Sequence, residues 1–176
     1  MGQFDHLWAG WRASYIESVT TDRLPTTPME VGDAGAATLF ERLLDLPDDE
    51  AFVVHRGTTC SALLNAYPYT NGHLLVLPNH AVAELDDLEE AVMLAFWSVV
   101  RDAVSALRTA YQCDGVNVGM NLGEAAGAGL PDHLHAHVLP RWQGDTNFMT
   151  SVASTRVLPE PLDVTWQKLR EAWPAP

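Results

Sequence analysis

His133-Leu134-His135-Ala136-His137-Val138-Leu139-Pro140 is the most informative stretch of this chain. Three histidines alternate with apolar residues at a strict period of two. On a strand, alternate residues share a face, so the spacing predicts a strand over His133 to Leu139, closed by Pro140. The three imidazoles line one side, and Leu134, Ala136 and Val138 pack into the core behind them. A helix would scatter the rings. Imidazole titrates near neutrality, so such a row can supply a nucleophile, a proton donor and a hydrogen-bond donor to an anion at working pH. Histidines at i and i+2 on a strand can also share one zinc ion, but zinc sites recruit further ligands. The nearest outside candidates, His73 and Asp132, stand at no zinc spacing.

The loop before the row, Asn121 to Pro131, carries Gly123, Gly127 and Gly129 and little side-chain bulk. Backbone amides can approach a ligand closely there, and successive N–H groups in such turns form anion-binding nests. Further upstream, Gly115 to Asn121 reads as a strand and Asp86 to Tyr111 as a long helix with apolar residues three or four apart and acids at its start. Ala51 to Arg56 and Cys60 to Asn65 suggest a hairpin around Gly57-Thr58-Thr59, and His73 to Leu77 a strand after the turn at Tyr67 to Gly72. Thr38 to Leu46 suggests a short helix, Phe4 to Ile16 a docked helical arm, and 23–37 an irregular connector. After the row, 142–161 reads as mostly irregular and Asp163 to Trp173 as a terminal helix. The fold class is α+β with a largely antiparallel sheet, since the βαβ rhythm of a doubly wound fold is missing. One structural domain is expected: arm and connector over 1–37, a central domain over 38–150, and a helical C-terminal extension over 151–176.

Composition narrows the function. The chain has 176 residues, 47% of them hydrophobic and 19% charged, as in a folded globular protein. Ten Lys+Arg against 23 Asp+Glu give a formal charge of -13. Lys168 is the only lysine, so no Walker-type phosphate loop exists. Such a field repels nucleic acid and anionic membranes, and neither is an expected partner. Cys60 and Cys113 lie far apart and form no CxxC motif. The N-terminus lacks a basic and then apolar leader, and no apolar run approaches about 18 residues. A cytoplasmic location is therefore expected.

Two separated motifs carry a family resemblance. His133, His135, His137, Val138 and Leu139 follow Asn121, Gly123, Ala126 and Gly127. Upstream stand Asn65, Tyr67-Pro68-Tyr69 and Gly72-His73-Leu74-Leu75-Val76-Leu77-Pro78. In this order they resemble the histidine triad (HIT) family. Leu7-Trp8-Ala9-Gly10-Trp11-Arg12 and Pro140 to Phe148 are similar to its bacterial branch that includes diadenosine tetraphosphate phosphorylases, also called ATP adenylyltransferases. The resemblance implies a five-stranded antiparallel sheet with one long helix, pairing into a homodimer with a continuous sheet.

It also implies roles. His135 is the nucleophile on the α-phosphorus of a nucleotide, His133 and His137 flank it on phosphate oxygens and assist proton transfer, and His73 supports them as a fourth histidine. Asn65 contacts the ribose. Asn121 and the backbone of Gly127, Ala128, Gly129 and Leu130 cradle the phosphates. Arg141 adds cationic charge or makes a surface ion pair, and Trp142 walls the nucleotide pocket or the dimer edge. The implied substrates are adenine nucleotides and dinucleoside polyphosphates, with diadenosine tetraphosphate and phosphate giving ATP and ADP. Mg²⁺ would arrive with the nucleotide, and no cofactor would be tightly bound. Relatives with such an arm carry Cys-x-x-Cys where this chain has Thr38-Leu39-Phe40-Glu41, so no structural zinc is expected. Ala128-Gly129 replaces a Gly-Ser of some phosphorylases, which leaves water as an alternative acceptor. His137 argues against the branches with glutamine at that position. A nucleotide-binding module with little turnover and a zinc-dependent hydrolase remain alternatives.

Overall fold

Phe96, Val99, Val100, Ala103, Ala106 and Leu107 recur three or four residues apart and are the buried residues of the long helix. In the computed structural model, which describes residues 37–145 and 160–175, that helix spans Glu90–Tyr111 (α2). The other elements in chain order are α1 (Leu39–Leu44), β1 (Val53–Arg56), β2 (Cys60–Leu64), β3 (Leu74–Pro78), β4 (Gly115–Met120), β5 (Ala136–Arg141) and α3 (Leu162–Ala172). The expected arm over Phe4 to Ile16 and the connector lie outside the described residues, as does most of 142–161.

The strands form one five-stranded antiparallel sheet in the order β1-β2-β3-β5-β4. Alternation along each strand divides the core in two. On one face Val54, Ala62, Leu64, Leu74, Val76, Ala136 and Val138 meet α2 and Leu169 of α3. On the other, Val53, Leu63, Leu75 and Leu77 meet Phe40 of α1. Each large apolar side chain removed from water in these layers contributes about 1.5–3 kcal/mol. The C-terminal helix belongs to the same packed unit. Its Trp166 indole N–H donates to the Val53 carbonyl at 2.9 Å, and Glu160 before it accepts from the Tyr111 hydroxyl at 2.5 Å and pairs with Lys168.

Element ends shift by a few residues from the sequence reading, and three of these shifts have a visible cause. The long helix starts at Glu90 rather than Asp86, because Leu85–Asp87 form a separate 3-10 turn and Leu88 is extended (ψ 125). The last strand starts at Ala136 rather than His133, because the Leu134 amide is taken by the Val82 carbonyl at 2.7 Å instead of a strand neighbour. It also runs through Pro140 to Arg141. β3 flanks it only as far as Val138, so a residue without an N–H is accommodated beyond that point.

Gly72 fixes the approach to β3. Its φ is +78, and a Cβ there would meet Tyr111 at 2.8 Å, Leu107 at 3.0 Å and Pro140 at 3.3 Å. Gly72→Ala is expected to destabilise the fold by about 2–4 kcal/mol, from a left-handed alanine and an overfilled junction together. Chemical denaturation measures this; a variant within about 0.5 kcal/mol of the parent, the range of neutral surface changes, contradicts it.

Candidate active site

The histidines sit on the α1 side of the sheet. His137 is the one that lies within β5, opposite Leu75 of β3 and Gly119 of β4. His73 immediately precedes β3 and shares the face of Leu75, hence of His137. His133 and His135 lie in the segment that leads into β5, His133 at a bend. The rings nevertheless form one continuous line. The Phe40 ring stands 5.2 Å from both His133 and His135, His135 lies 5.1 Å from His137, and His137 lies 5.1 Å from His73. Tyr69 closes the line, 4.7 Å from His73 and 5.9 Å from His137.

The hydrogen-bond network assigns the tautomers, since carbonyls only accept and amide N–H groups only donate. Nδ1 of His135 lies 2.8 Å from the carbonyl of His133 and must donate to it. The proton of the neutral ring is then on Nδ1, and Nε2 holds a lone pair. His73 is the reverse case. Its Nδ1 accepts from the Tyr69 amide at 3.1 Å and from the Asn65 carboxamide N–H at 3.3 Å, so its proton is on Nε2. That N–H donates to Nδ1 of His137 at 2.9 Å, which puts the proton of a neutral His137 on Nε2. The site therefore holds a bare nitrogen on His135 beside a half-buried His137 ring whose neutral form carries its proton on Nε2.

Burial pushes the His133 and His135 imidazoles below the ordinary histidine value. Both are then neutral at pH 7, the state in which an imidazole has a lone pair to offer. The lone pair of His135 and its aim are thus set by a backbone carbonyl and a dry environment rather than by a neighbouring base.

His133 departs from its expected place on the phosphates. It is 1% exposed, its Nε2–H donates to the Pro78 carbonyl at 2.8 Å, and its Nδ1 lies 2.7 Å from the Thr38 hydroxyl. Both ring nitrogens are engaged inside the protein, and its contribution to the row is its carbonyl. Arg141 takes the second of its two expected roles, the surface ion pair. It makes a two-pronged ion pair with Asp145 at 2.6 and 2.7 Å and donates to Asn117 at 2.8 Å, four residues or about 13 Å along the strand from His137. Trp142, one residue further, packs edge-on against Tyr111 at 6.1 Å. Neither residue reaches the histidines of its own chain, because β5 carries on past Pro140 toward the end of α2.

Asn65 and the glycine loop lie near the row. The Asn65 side chain accepts from the Tyr67 amide at 3.0 Å and so orients its N–H toward His73. Asn121 donates to the Gly127 carbonyl at 3.3 Å and closes the loop. The Gly127 and Ala128 amides turn back onto Glu124 and Gly123. The amides of Gly129 and Leu130 have no acceptor among the described residues. Space in front of Gly127 and Gly129 is open. Sequence reasoning missed Phe40, Tyr69, Thr38, Glu41 and the Pro78 carbonyl as members of the site. Thr38-x-x-Glu41 was visible as a capping box, though not its contact with His133. Among the described residues, no three His, Cys, Asp or Glu side chains converge on a metal-binding position.

A sheet-backed histidine row with one ring nitrogen left unprotonated is an arrangement capable of nucleophilic attack on an electrophilic centre such as phosphorus. The chain belongs to the HIT family: residues 47–144 match the HIT domain model. It is 37% identical over 171 residues to a protein of Mycobacterium tuberculosis named AP-4-A phosphorylase, covering 97% of this chain and 85% of that protein. It is 31% identical over 93 residues to the asymmetrical bis(5'-nucleosyl)-tetraphosphatase of Schizosaccharomyces pombe, covering 53% of this chain and 50% of that one. Among solved structures it is similar to a Zn-bound histidine triad family protein from Mycobacterium smegmatis, with TM-score 0.62 and 27% identity, covering 78% and 92% of the two chains.

Proposed function

We propose that this protein is a nucleotidyltransferase acting at the α-phosphate of dinucleoside polyphosphates through a nucleotidyl-histidine intermediate. The observation that carries this reading is the Nδ1-protonated His135, whose Nε2 lone pair is free of protein donors among the described residues. That lone pair forms a bond to the α-phosphorus as the bond to the bridging oxygen breaks, and the leaving polyphosphate takes the electron pair. His137 donates its Nε2–H toward the developing oxygen charge, as oriented donors do in phosphoryl-transfer sites. In the second step an acceptor oxygen attacks the same phosphorus, and the P–N electrons return to His135. With diadenosine tetraphosphate and inorganic phosphate the products are ATP and ADP. Similarity to the AP-4-A phosphorylase over nearly the whole chain supports phosphate as acceptor. The Gly129 and Leu130 amides suit the phosphate chain, Asn65 a ribose hydroxyl, and Mg²⁺ enters with the nucleotide.

Water as acceptor is the second reading, supported by the similarity to the tetraphosphatase. Anion-exchange analysis after incubation with diadenosine tetraphosphate and magnesium separates the two. ATP and ADP formed only when phosphate is present are the expected products. ATP and AMP with or without phosphate mean hydrolysis, and no product with tight AMP binding means a nucleotide-binding module. We further propose a cytoplasmic homodimer. Among the described residues β4 has no neighbour on its outer edge and leaves Val118 41% exposed, a strand open to pairing with a second copy. No helix among the described residues is long and apolar enough to cross a membrane.

A further inference from the structure

We propose that Thr38 and Glu41, the capping box of α1, are positioning residues for the histidine row: Thr38 anchors the His133 ring, and the His133 carbonyl thereby holds His135 with Nε2 aimed outward. The proposal rests on His135 as nucleophile. Thr38 caps α1, and the reciprocal bonds of a capping box are both present. A cap alone does not account for the geometry. The hydroxyl oxygen is 3.4 Å from the Glu41 amide that it caps, but 2.7 Å from Nδ1 of His133, a residue 95 positions away. The shorter contact is the one to the histidine.

The proton inventory gives this contact a direction. The Thr38 hydroxyl has one proton and two acceptors in reach, Nδ1 of His133 at 2.7 Å and the Glu41 carboxylate at 3.1 Å. With His133 neutral and its Nε2–H on Pro78, Nδ1 takes the hydroxyl proton. With His133 charged, Nδ1–H donates to the hydroxyl oxygen, and the hydroxyl proton turns to Glu41. The carboxylate stays ionised, held by the Thr38 amide at 2.8 Å and the Ala81 amide at 3.1 Å, with its pKa lowered chiefly by the backbone hydrogen bond from Thr38. Groups facing His133 are thus Glu41 from α1, the Pro78 carbonyl from β3, His135 on its own segment and the exposed His80 beyond β3. Burial favours the neutral ring and Glu41 opposes it. In both protonation states Thr38 keeps a hydrogen bond to the ring, so the carbonyl that orders His135 stays fixed. Phe40, between the two box residues, adds its ring edge to His133 and His135.

The test uses Thr38→Val, Thr38→Ser and Glu41→Gln in the full chain, read by turnover and by imidazole 15N NMR. Thr38→Val is expected to lower kcat about ten- to hundredfold with KM within about twofold, because a misaimed nucleophile costs rate rather than binding. Its His135 signal is expected to lose the single Nδ1-protonated pattern. Thr38→Ser restores most of both. Glu41→Gln keeps the cap and lowers the pH at which His133 titrates. A Thr38→Val protein with parental kcat and an unchanged His135 signal overturns the proposal. So does equal impairment of the valine and serine variants, or a His133 titration that Glu41→Gln leaves in place, which decides the matter even where the valine variant does not fold. If the parent turns over no dinucleoside polyphosphate, the proposed function fails, while the substrate-free spectra still report whether Thr38 sets the tautomer.

Discussion

His135→Ala is expected to abolish turnover and covalent nucleotide labelling, with kcat lower by about 10⁴- to 10⁶-fold, the range seen when a nucleophile is removed from a preorganised site. The fold should survive. His135 is outside both apolar clusters, and its loss removes one hydrogen bond to a carbonyl and two ring-edge contacts, with Phe40 and with His137. That is about 1–2 kcal/mol, or a few degrees in Tm. An alanine variant that is unfolded by circular dichroism, or one with parental turnover, sinks the assignment. On the proposed mechanism the same residue should set the acid limb of the first half-reaction. Only the neutral ring has the Nε2 lone pair, and burial lowers its pKa, so adduct formation should stay on its plateau below the ordinary value of 6.5 before falling. Stability changes in the same direction. For His133 and His135 the unfolded chain binds protons more readily than the folded one. Their contribution is therefore complete above pH 6.5 and is lost as pH falls through the lowered folded values. His135→Ala should remove part of that loss.

The period of two made the histidine row legible, and the three- and four-residue spacing from Val92 to Leu107 made the long helix legible, because both are local patterns that any packing partner would impose. The ends of these elements were less so. β5 begins late because Leu134 finds Val82, 52 positions earlier, and nothing near Leu134 in the sequence announces that. The nearest carboxylate to Arg141 was four residues away in the sequence, yet its capture by Asp145 depended on how the chain turns after β5. Trp142 follows the row by five residues, a short separation in sequence that leaves pocket wall and dimer edge both open. On a strand it is about 16 Å. Nor do residue types give tautomers. Three identical side chains acquire three functions here: His133 an anchored ring, His135 a lone pair, His137 a donor. The distinction comes from two carbonyls, one hydroxyl and one backbone amide acting through His73, partners that become visible once the chain is folded.

The donor role of His137 carries the second large effect. The chain from the Tyr69 amide through His73 to His137 runs one way, each group donating to the next, and leaves the proton of a neutral His137 on Nε2. If that N–H stabilises oxygen charge in the transition state, His137→Ala should lower kcat about 10²- to 10³-fold with a smaller change in KM, since the interaction strengthens as charge develops. His137→Gln is the informative companion. A glutamine amide can place an N–H near the position of Nε2, so this variant should recover a substantial part of the rate, whereas equal loss in both variants argues against donation from that position. His73→Ala leaves Nδ1 of His137 without the donor that fixes its tautomer and should cost about tenfold, the scale of a lost supporting hydrogen bond. In the His73→Ala/His137→Ala double variant the losses should not add, because His73 acts here through His137 and has nothing left to orient. Additive losses would show that His73 acts on the substrate by a separate route. Steady-state kinetics of the four proteins, at a pH above the acid limb of His135, distinguishes these outcomes.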